Sequence, residues 1–162
     1  MSKQAESFFS AIVAAPFGAM GIRIEDAALR ELVYLPPEYQ PKTASDALSK
    51  KIAQQVKAYF DDPDFQFTLD VPVVGTAFQR KVWDVINAIP RGKVLTYGEV
   101  ARHIGSAPRA VGQACGANWY PLMIPCHRVT ATGSIGGFAH HDGGFHQNVK
   151  RWLLRHEQVP GY

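Results

Sequence analysis

One short segment, residues 124–129, carries the side chains best suited to nucleophilic chemistry. It reads Ile-Pro-Cys-His-Arg-Val and places Cys126 directly beside His127. A cysteine attacks as its thiolate, so its ordinary pKa of about 8.5 has to fall for reaction near neutral pH. A histidine that is itself held by a carboxylate can accept the proton. Because adjacent side chains on an extended chain point apart, a bridging water or a tight turn after Pro125 would be needed to couple the two groups.

These residues alone leave the function of the segment open. A single cysteine is most often a small buried apolar side chain, and the histidine and arginine beside Cys126 weaken that expectation without reversing it. A Cys–His hydrolase also fits them. The second cysteine is Cys115, and two cysteines without a Cys-x-x-Cys pair indicate neither a disulfide framework nor structural zinc.

Composition and charge restrict the class of protein. The 162 residues are 46% hydrophobic and 19% charged, which is typical of a globular protein of one or two small domains. No apolar run approaches the ~20 residues that a membrane span needs. Residues 1–6 lack the layout of a signal peptide, so we expect a cytoplasmic protein without a membrane partner. The net charge is +3, with acidic residues in excess over residues 1–75 and basic residues over 76–162, so any nucleic acid should meet the second half.

The sequence predicts an α/β (α+β) protein of two domains. The first domain, residues 1–72, should contain a small antiparallel sheet and a helix. Its predicted elements are strands over 17–24 and 32–35 paired across the polar turn at 25–26, a helix over 45–60 with Ser45 as N-cap, and a strand over 65–69. A linker at 70–75 follows.

The second domain, residues 73–162, should be mainly helical and winged-helix-like. Thr76 is a predicted N-cap of the first helix. Thr96 and Glu99 have the spacing of a capping box that begins the second helix, and Gly105 is its predicted C-cap. Ser106 is a predicted N-cap of the third helix, with Pro108 in its first turn, and a last helix carries Val149, Trp152 and Leu153 and ends near His156. Two short helices joined at Gly105 have the shape of a helix-turn-helix, although many helical domains share that pattern without binding DNA.

A series of ordered motifs in this second half resembles those of the O6-alkylguanine-DNA alkyltransferases. Residues 125–129, Pro-Cys-His-Arg-Val, resemble the active-site motif of that family. The other motifs are 78–83, 89–92 and 96–101, similar to the family's helix-turn-helix; 109–112 with 116–118, similar to its recognition helix and following turn; and 152–157, similar to its closing helix. The resemblance implies a protein that takes the alkyl group of O6-alkylguanine, and of O4-alkylthymine, from double-stranded DNA onto its own cysteine and is consumed in doing so.

The resemblance also implies catalytic roles for matching residues. Cys126 would be the alkyl acceptor, His127 its base through a water molecule, and Glu157 the group that orients His127. Tyr97 would give a proton to the departing guanine, and Asn118 would fix the turn that presents the cysteine segment. The guanine pocket would be lined by Tyr97, Val129, Phe138 and Ala139.

Further implied residues would contact DNA. Arg109 would enter the base stack and replace the flipped nucleotide, which offsets the cost of extruding a base. Ala110 and Gly112 would allow close approach to the minor groove, and Arg128 would be a further DNA contact.

The expected chemistry needs no cofactor and no metal, because the product is a thioether that water does not hydrolyse. We expect a monomer. The main alternative is a non-catalytic sensor of alkylated DNA, a class in which the cysteine is commonly replaced by Trp. Residues 138–144 form a longer loop than the family pattern and are predicted to act as a flap over the alkylated base.

Overall fold

The structure, a computed structural model, describes residues 7–137 and 144–162. The chain divides into two units, Met1–Val73 and Val74–Tyr162. No helix within the described ranges is long and apolar enough to cross a membrane.

The first unit contains a three-stranded antiparallel sheet in the order β1-β2-β3. Its strands are β1 (Ala11–Ala15), β2 (Gly18–Glu25) and β3 (Ala28–Leu35). The chain reverses between β2 and β3 at Asp26 and Ala27, both with positive φ. Register pairs such as Met20 with Tyr34 confirm the predicted pairing of the two strands around this turn.

Helix α1 (Ala47–Asp61) follows the sheet, close to the predicted range 45–60, and its buried side includes Ile52, Val56 and Tyr59. The predicted cap at Ser45 is wrong by one residue. Asp46 is the N-cap, and its carboxylate accepts hydrogen bonds from the backbone N–H and the hydroxyl of Ser49.

The predicted strand at 65–69 is also wrong, since the segment forms no ladder. The backbone N–H of Thr68 donates instead to the side-chain oxygen of Gln55 on α1 at 2.9 Å. The alternation of apolar residues reflects ring packing: the Phe67 ring lies 5.9 Å from that of Tyr59 and 5.6 Å from that of Phe65.

The second unit is mainly helical, as predicted. Its elements are α2 (Ala77–Asn87), β4 (Leu95–Thr96), α3 (Tyr97–Ile104), α4 (Pro108–Gly116), a short 3-10 turn (Cys126–Arg128), β5 (Val129–Thr130) and α5 (Phe145–His156). Side chains of α2, α3 and α4 form its core, with Val82, Val100 and Val111 fully buried. The indole N–H of Trp83 donates to the carbonyl of Ala114 at 2.9 Å and ties α2 to α4.

The helix ends follow most of the predicted signals. Thr76 and Thr96 both form capping boxes, and Gly105 ends α3 in the left-handed conformation with φ 66°. The predicted cap at Ser106 is wrong, because Ala107 is the N-cap of α4 and makes no side-chain cap bond. Pro108 occupies the first helical position, where its missing N–H leaves one donor fewer to satisfy.

Candidate active site

Cys126 lies in a tight turn that Asn118 holds in place. Cys126 is 5% exposed and is the first residue of the 3-10 turn that follows Pro125. The side-chain amide of Asn118 donates to the Cys126 sulfur at 3.3 Å and to the carbonyl of Ile124 at 2.8 Å. The amide oxygen of Asn118 accepts from the backbone N–H of Tyr120 at 2.9 Å. All of its polar atoms are therefore used in fixing the approach to the nucleophile.

His127 and Glu157 form a buried pair beside this turn. Nε2 of His127 lies 2.8 Å from the Glu157 carboxylate, and their side chains are 1% and 0% exposed. Since an ionised carboxylate only accepts hydrogen bonds, Nε2 carries the proton and Nδ1 is the basic nitrogen. Nδ1 is buried and has no hydrogen-bond partner among the described residues.

Arg128 completes the environment of Glu157. Its Nε and Nη2 donate to the two carboxylate oxygens at 2.9 and 3.0 Å, and its Nη1 donates to the carbonyl of Ile89 at 2.7 Å. Burial by itself raises the pKa of Glu157, but the charges and hydrogen bonds of His127 and Arg128 outweigh it and hold that pKa well below its usual range. Glu157 is thus an anion that steadies His127.

The protonation states of the two reacting groups follow from burial. Burial lowers the pKa of His127 against the opposing pull of Glu157, so the imidazole is neutral and can take a proton. The hydrogen bond with Cys115 and burial raise the pKa of the Cys126 thiol, while Asn118 and the charge of Lys150 lower it. The resting thiol is therefore protonated and needs a base to become a nucleophile.

A two-residue parallel ladder places Tyr97 near the cysteine segment. Leu95 pairs with Val129 and Thr96 with Thr130, so β4 leads into α3 beside the chain that leaves the active turn. The Tyr97 hydroxyl donates to the carbonyl of Gly137 at 3.1 Å. Burial and then the charges of the two cysteines raise the pKa of Tyr97, so the phenol keeps its proton.

Lys150 is a component of the site that the sequence reasoning missed. Its side chain is fully buried, its ammonium donates to the carbonyls of Val129 and Gly137 at 2.7 and 3.0 Å, and it lies 5.6 Å from the centre of the Tyr97 ring. Burial lowers its pKa to about 8. The sequence did contain a signal for its burial. Lys150 precedes Leu153 by three residues and Leu154 by four, a spacing that places all three on the same face of α5.

A family model described as the DNA binding domain of 6-O-methylguanine DNA methyltransferase matches residues 77–159. A methylated-DNA–protein-cysteine methyltransferase of Methanosarcina mazei is 32% identical over 155 residues, covering 91% of this chain and 95% of that protein. The chain belongs to the 6-O-methylguanine DNA methyltransferase family. The relative of the same name from Salmonella typhimurium is 47% identical over 93 residues, 56% of this chain and 52% of that protein, so the match spans about half of its length.

Solved structures of the family share the fold. The O6-methylguanine methyltransferase of Mycobacterium tuberculosis is 31% identical and superposes with a TM-score of 0.74, covering 93% of this chain and 94% of that one. A Mycobacterium tuberculosis OGT in complex with DNA gives the same identity and TM-score. These matches confirm the predicted α/β fold class.

The residues predicted to contact DNA divide into two groups in this family member. Arg109 is exposed near the start of α4, and Gly112, half-buried, has open space where a Cβ would lie. Ala110 is half-buried between them. Arg128 differs, because its guanidinium is engaged by Glu157 and Ile89, and it would have to leave them to reach a phosphate.

The predicted guanine pocket is described in part. The Val129 side chain is buried, and its carbonyl accepts from Lys150. Phe138 and Ala139, together with most of the predicted flap at 138–144, lie outside the described residues. Gly136 is described, and a Cβ added there would lie 3.0 Å from the Tyr97 ring, so a side chain at this position would press on that ring.

Proposed function

We propose that this protein repairs double-stranded DNA by transferring the alkyl group of O6-alkylguanine to its own Cys126. The observation that carries the proposal is a buried Cys126 thiol that Asn118 holds in place, next in sequence to a neutral His127. Glu157 binds Nε2 of His127 and leaves Nδ1 as the basic nitrogen. Relatives named methylated-DNA–protein-cysteine methyltransferases support the same reaction. O4-alkylthymine is a second proposed substrate of the same site.

The tautomer of His127 and the protonated phenol of Tyr97 support the following proton movements. The Cys126 proton passes to Nδ1 of His127 through a bridging water, and Glu157 stabilises the imidazolium that forms. The sulfur then attacks the alkyl carbon in line, so that an S–C bond forms while the C–O6 bond breaks. Tyr97, whose phenol remains protonated, donates to the departing guanine, and the proton lost by the thiol replaces the one it gives. The thioether is stable to water, so each chain reacts once.

The DNA side of the proposal involves α3 and α4, acting as a helix-turn-helix. Arg109 projects from the first turn of α4, where it can enter the base stack and replace the extruded nucleotide. Gly112 supports a close approach of DNA, because no described atom outside its own stretch of helix lies within 4 Å of the place where a Cβ would be. Its small size is therefore not required by packing within the described protein.

The test is the intact mass of the protein after mixing with duplex DNA that contains O6-methylguanine. We expect one added methyl group per chain, located on the peptide that contains Cys126. Cys126→Ala should still bind the DNA and gain no methyl group. Repeated turnover, or a methyl group on Cys115, would contradict the proposal.

The same experiment separates the alternatives. A non-catalytic sensor would bind the alkylated duplex and keep its mass unchanged. A Cys–His hydrolase would show neither preference for the duplex nor a stable adduct. We further propose that the protein acts as a monomer in the cytoplasm, with residues 1–72 and 73–162 as its domains, and sedimentation with and without the duplex checks the oligomeric state.

A further inference from the structure

A tight turn after α2 lies directly against the end of α5. The turn spans residues 90–93, and the backbone N–H of Lys93 donates to the carbonyl of Pro90 at 3.1 Å. Gly92, its third residue, has a φ of 89°, a conformation that favours glycine at this position of a turn. A Cβ added to Gly92 would lie 3.5 Å from the carbonyl oxygen of Glu157, so the turn closely approaches the main chain of that residue.

Arg91, the second residue of the turn, binds the end of α5. Its Nη1 donates to the carbonyl of Glu157 at 3.2 Å and to the side-chain oxygen of Gln158 at 3.4 Å. Glu157 is the C-cap of α5, where backbone carbonyls have no partner within the helix and a positive charge is favoured. Arg91 therefore binds Glu157 through its main chain, whereas Arg128 binds it through its carboxylate.

The two arginines and the turn form a closed ring around Glu157. Nη1 of Arg128 donates to the carbonyl of Ile89 at 2.7 Å, and Ile89 precedes Arg91 by two residues. Ile89 is buried, so this end of the ring is fixed in the core. The carboxylate and the main chain of one residue are thus both tied to the segment 89–91.

We propose that Arg91 is a positioning residue, which holds the main chain of Glu157 where its carboxylate reaches Nε2 of His127. The inference rests on the proposed function, in which His127 accepts the proton of Cys126. The contact between Glu157 and His127 is 2.8 Å long, and a carboxylate on a frayed helix end would make it less often. Without that contact, the proton of the neutral imidazole would lie on Nδ1 in part of the molecules, and those could not accept a proton there.

The kinetic test uses the free base O6-benzylguanine, so that no contact with DNA affects the result. Transfer by Arg91→Ala should fall by about 10-fold at neutral pH, a part of the roughly 100-fold or more that a general base supplies. The deficit should narrow as the pH rises, because hydroxide then deprotonates the thiol without His127. Arg91→Lys keeps a charged donor and should recover part of the rate.

Nitrogen NMR of the His127 ring gives a second readout that needs no substrate. The wild-type protein should carry the proton on Nε2, and Arg91→Ala should show a share of the Nδ1 tautomer. The matched control is Arg155→Ala, which removes an exposed positive charge from the last turn of α5. It should leave both the tautomer and the rate unchanged.

Three outcomes decide the proposal. If Arg91→Ala keeps the wild-type tautomer and its rate deficit is the same at every pH, Arg91 is only a helix cap and the proposal is overturned. Loss of transfer from a duplex alone, with benzyl transfer unchanged, would also overturn it, because Arg91 would then be a DNA contact. If the wild type never accepts a benzyl or methyl group while the tautomer still depends on Arg91, the positioning role stands and the proposed function fails.

Discussion

The Glu157 carboxylate lies fully buried between two basic side chains, His127 and Arg128. A buried ion pair of this kind adds little net stability compared with apolar packing, but removal of one partner leaves an uncompensated charge. Here the same carboxylate also sets the tautomer of His127. Stability and reactivity therefore depend on one side chain.

We predict that Glu157→Gln destabilises the fold by about 3–5 kcal/mol, because the Arg128 guanidinium, whose side chain is only 15% exposed, loses its counterion. The rate of alkyl transfer should fall by about 100-fold, since His127 is no longer held as a base. Urea unfolding and single-turnover transfer, measured below the melting temperature of the variant, check both effects.

The matched control is Glu31→Gln, which breaks the partly exposed ion pair with Arg23 in the first unit. It should cost no more than about 1 kcal/mol and leave transfer unchanged. Equal losses of unfolding free energy in the two variants would show that the buried Glu157 contributes no more to stability than the partly exposed Glu31.

The pH dependence of transfer tests the protonation state of His127. Burial lowers its pKa, so the neutral, basic form persists at pH values where an ordinary histidine is protonated. The rate should therefore stay level as the pH falls through 6.5 and decline only at more acidic pH. The folded protein also loses stability as the pH falls, because His127 binds a proton in the unfolded chain at a higher pH than it does in the folded protein. A decline centred at 6.5 or above would contradict this assignment.

At the scale of elements, the pairing of β4 with β5 decides where Tyr97 lies. These strands have two residues each, yet they join the start of α3 to the chain that leaves the active turn. Thr96 takes part twice, as a member of β4 and as the N-cap of α3 through its bond with the Glu99 backbone. The position of the Tyr97 phenol therefore depends on the N-cap that Thr96 provides.

We predict that Thr96→Ala costs about 1 kcal/mol of stability through loss of the cap and also slows transfer, because Tyr97 is the next residue. Thr76→Ala removes an equivalent capping box from α2 and should cost a similar amount without slowing transfer. Thermal melting and single-turnover kinetics of the two variants make the comparison. If both slow transfer equally, the effect arises from general destabilisation rather than from the position of Tyr97.

At the scale of the whole molecule, the charge of the chain is divided unequally. The second half carries the basic excess and all the residues that we assign to the reaction, whereas the first half is acidic. Contacts between basic side chains and phosphates release counterions. The logarithm of the binding constant for DNA should therefore fall linearly with the logarithm of the salt concentration. The contacts responsible should belong to the second unit.

We predict that Arg109→Ala weakens transfer from a duplex more than reaction with the free base O6-benzylguanine, because only the duplex requires extrusion of a nucleotide. Lys57→Ala, which removes an exposed charge from α1 of the first unit, should leave both reactions and the salt dependence as in the wild type. Equal losses on both substrates for Arg109→Ala would count against its insertion into the base stack.

Local patterns allowed much of the fold to be predicted from sequence. Strand alternation around Asp26 gave the β2–β3 pairing, and the capping boxes at Thr76 and Thr96 gave two helix starts. These features depend on neighbours within a few residues, where stereochemistry limits the choices. The errors at Ser45 and Ser106 were of one residue each. Asp46, the neighbour of Ser45, accepts the cap hydrogen bond of α1, whereas the N-cap of α4 is Ala107, which makes none.

The sequence by itself determined which residues could react, since the motif around Cys126 and the ordered motifs before and after it can be read from the sequence alone. Tertiary structure alone decided the partners of those residues. In the folded chain the Arg128 guanidinium binds the Glu157 carboxylate, and Lys150 is buried against the carbonyls of Val129 and Gly137. The physical reason is that burial and long-range contacts set pKa values and hydrogen-bond partners. Those contacts arise only when separate segments pack together.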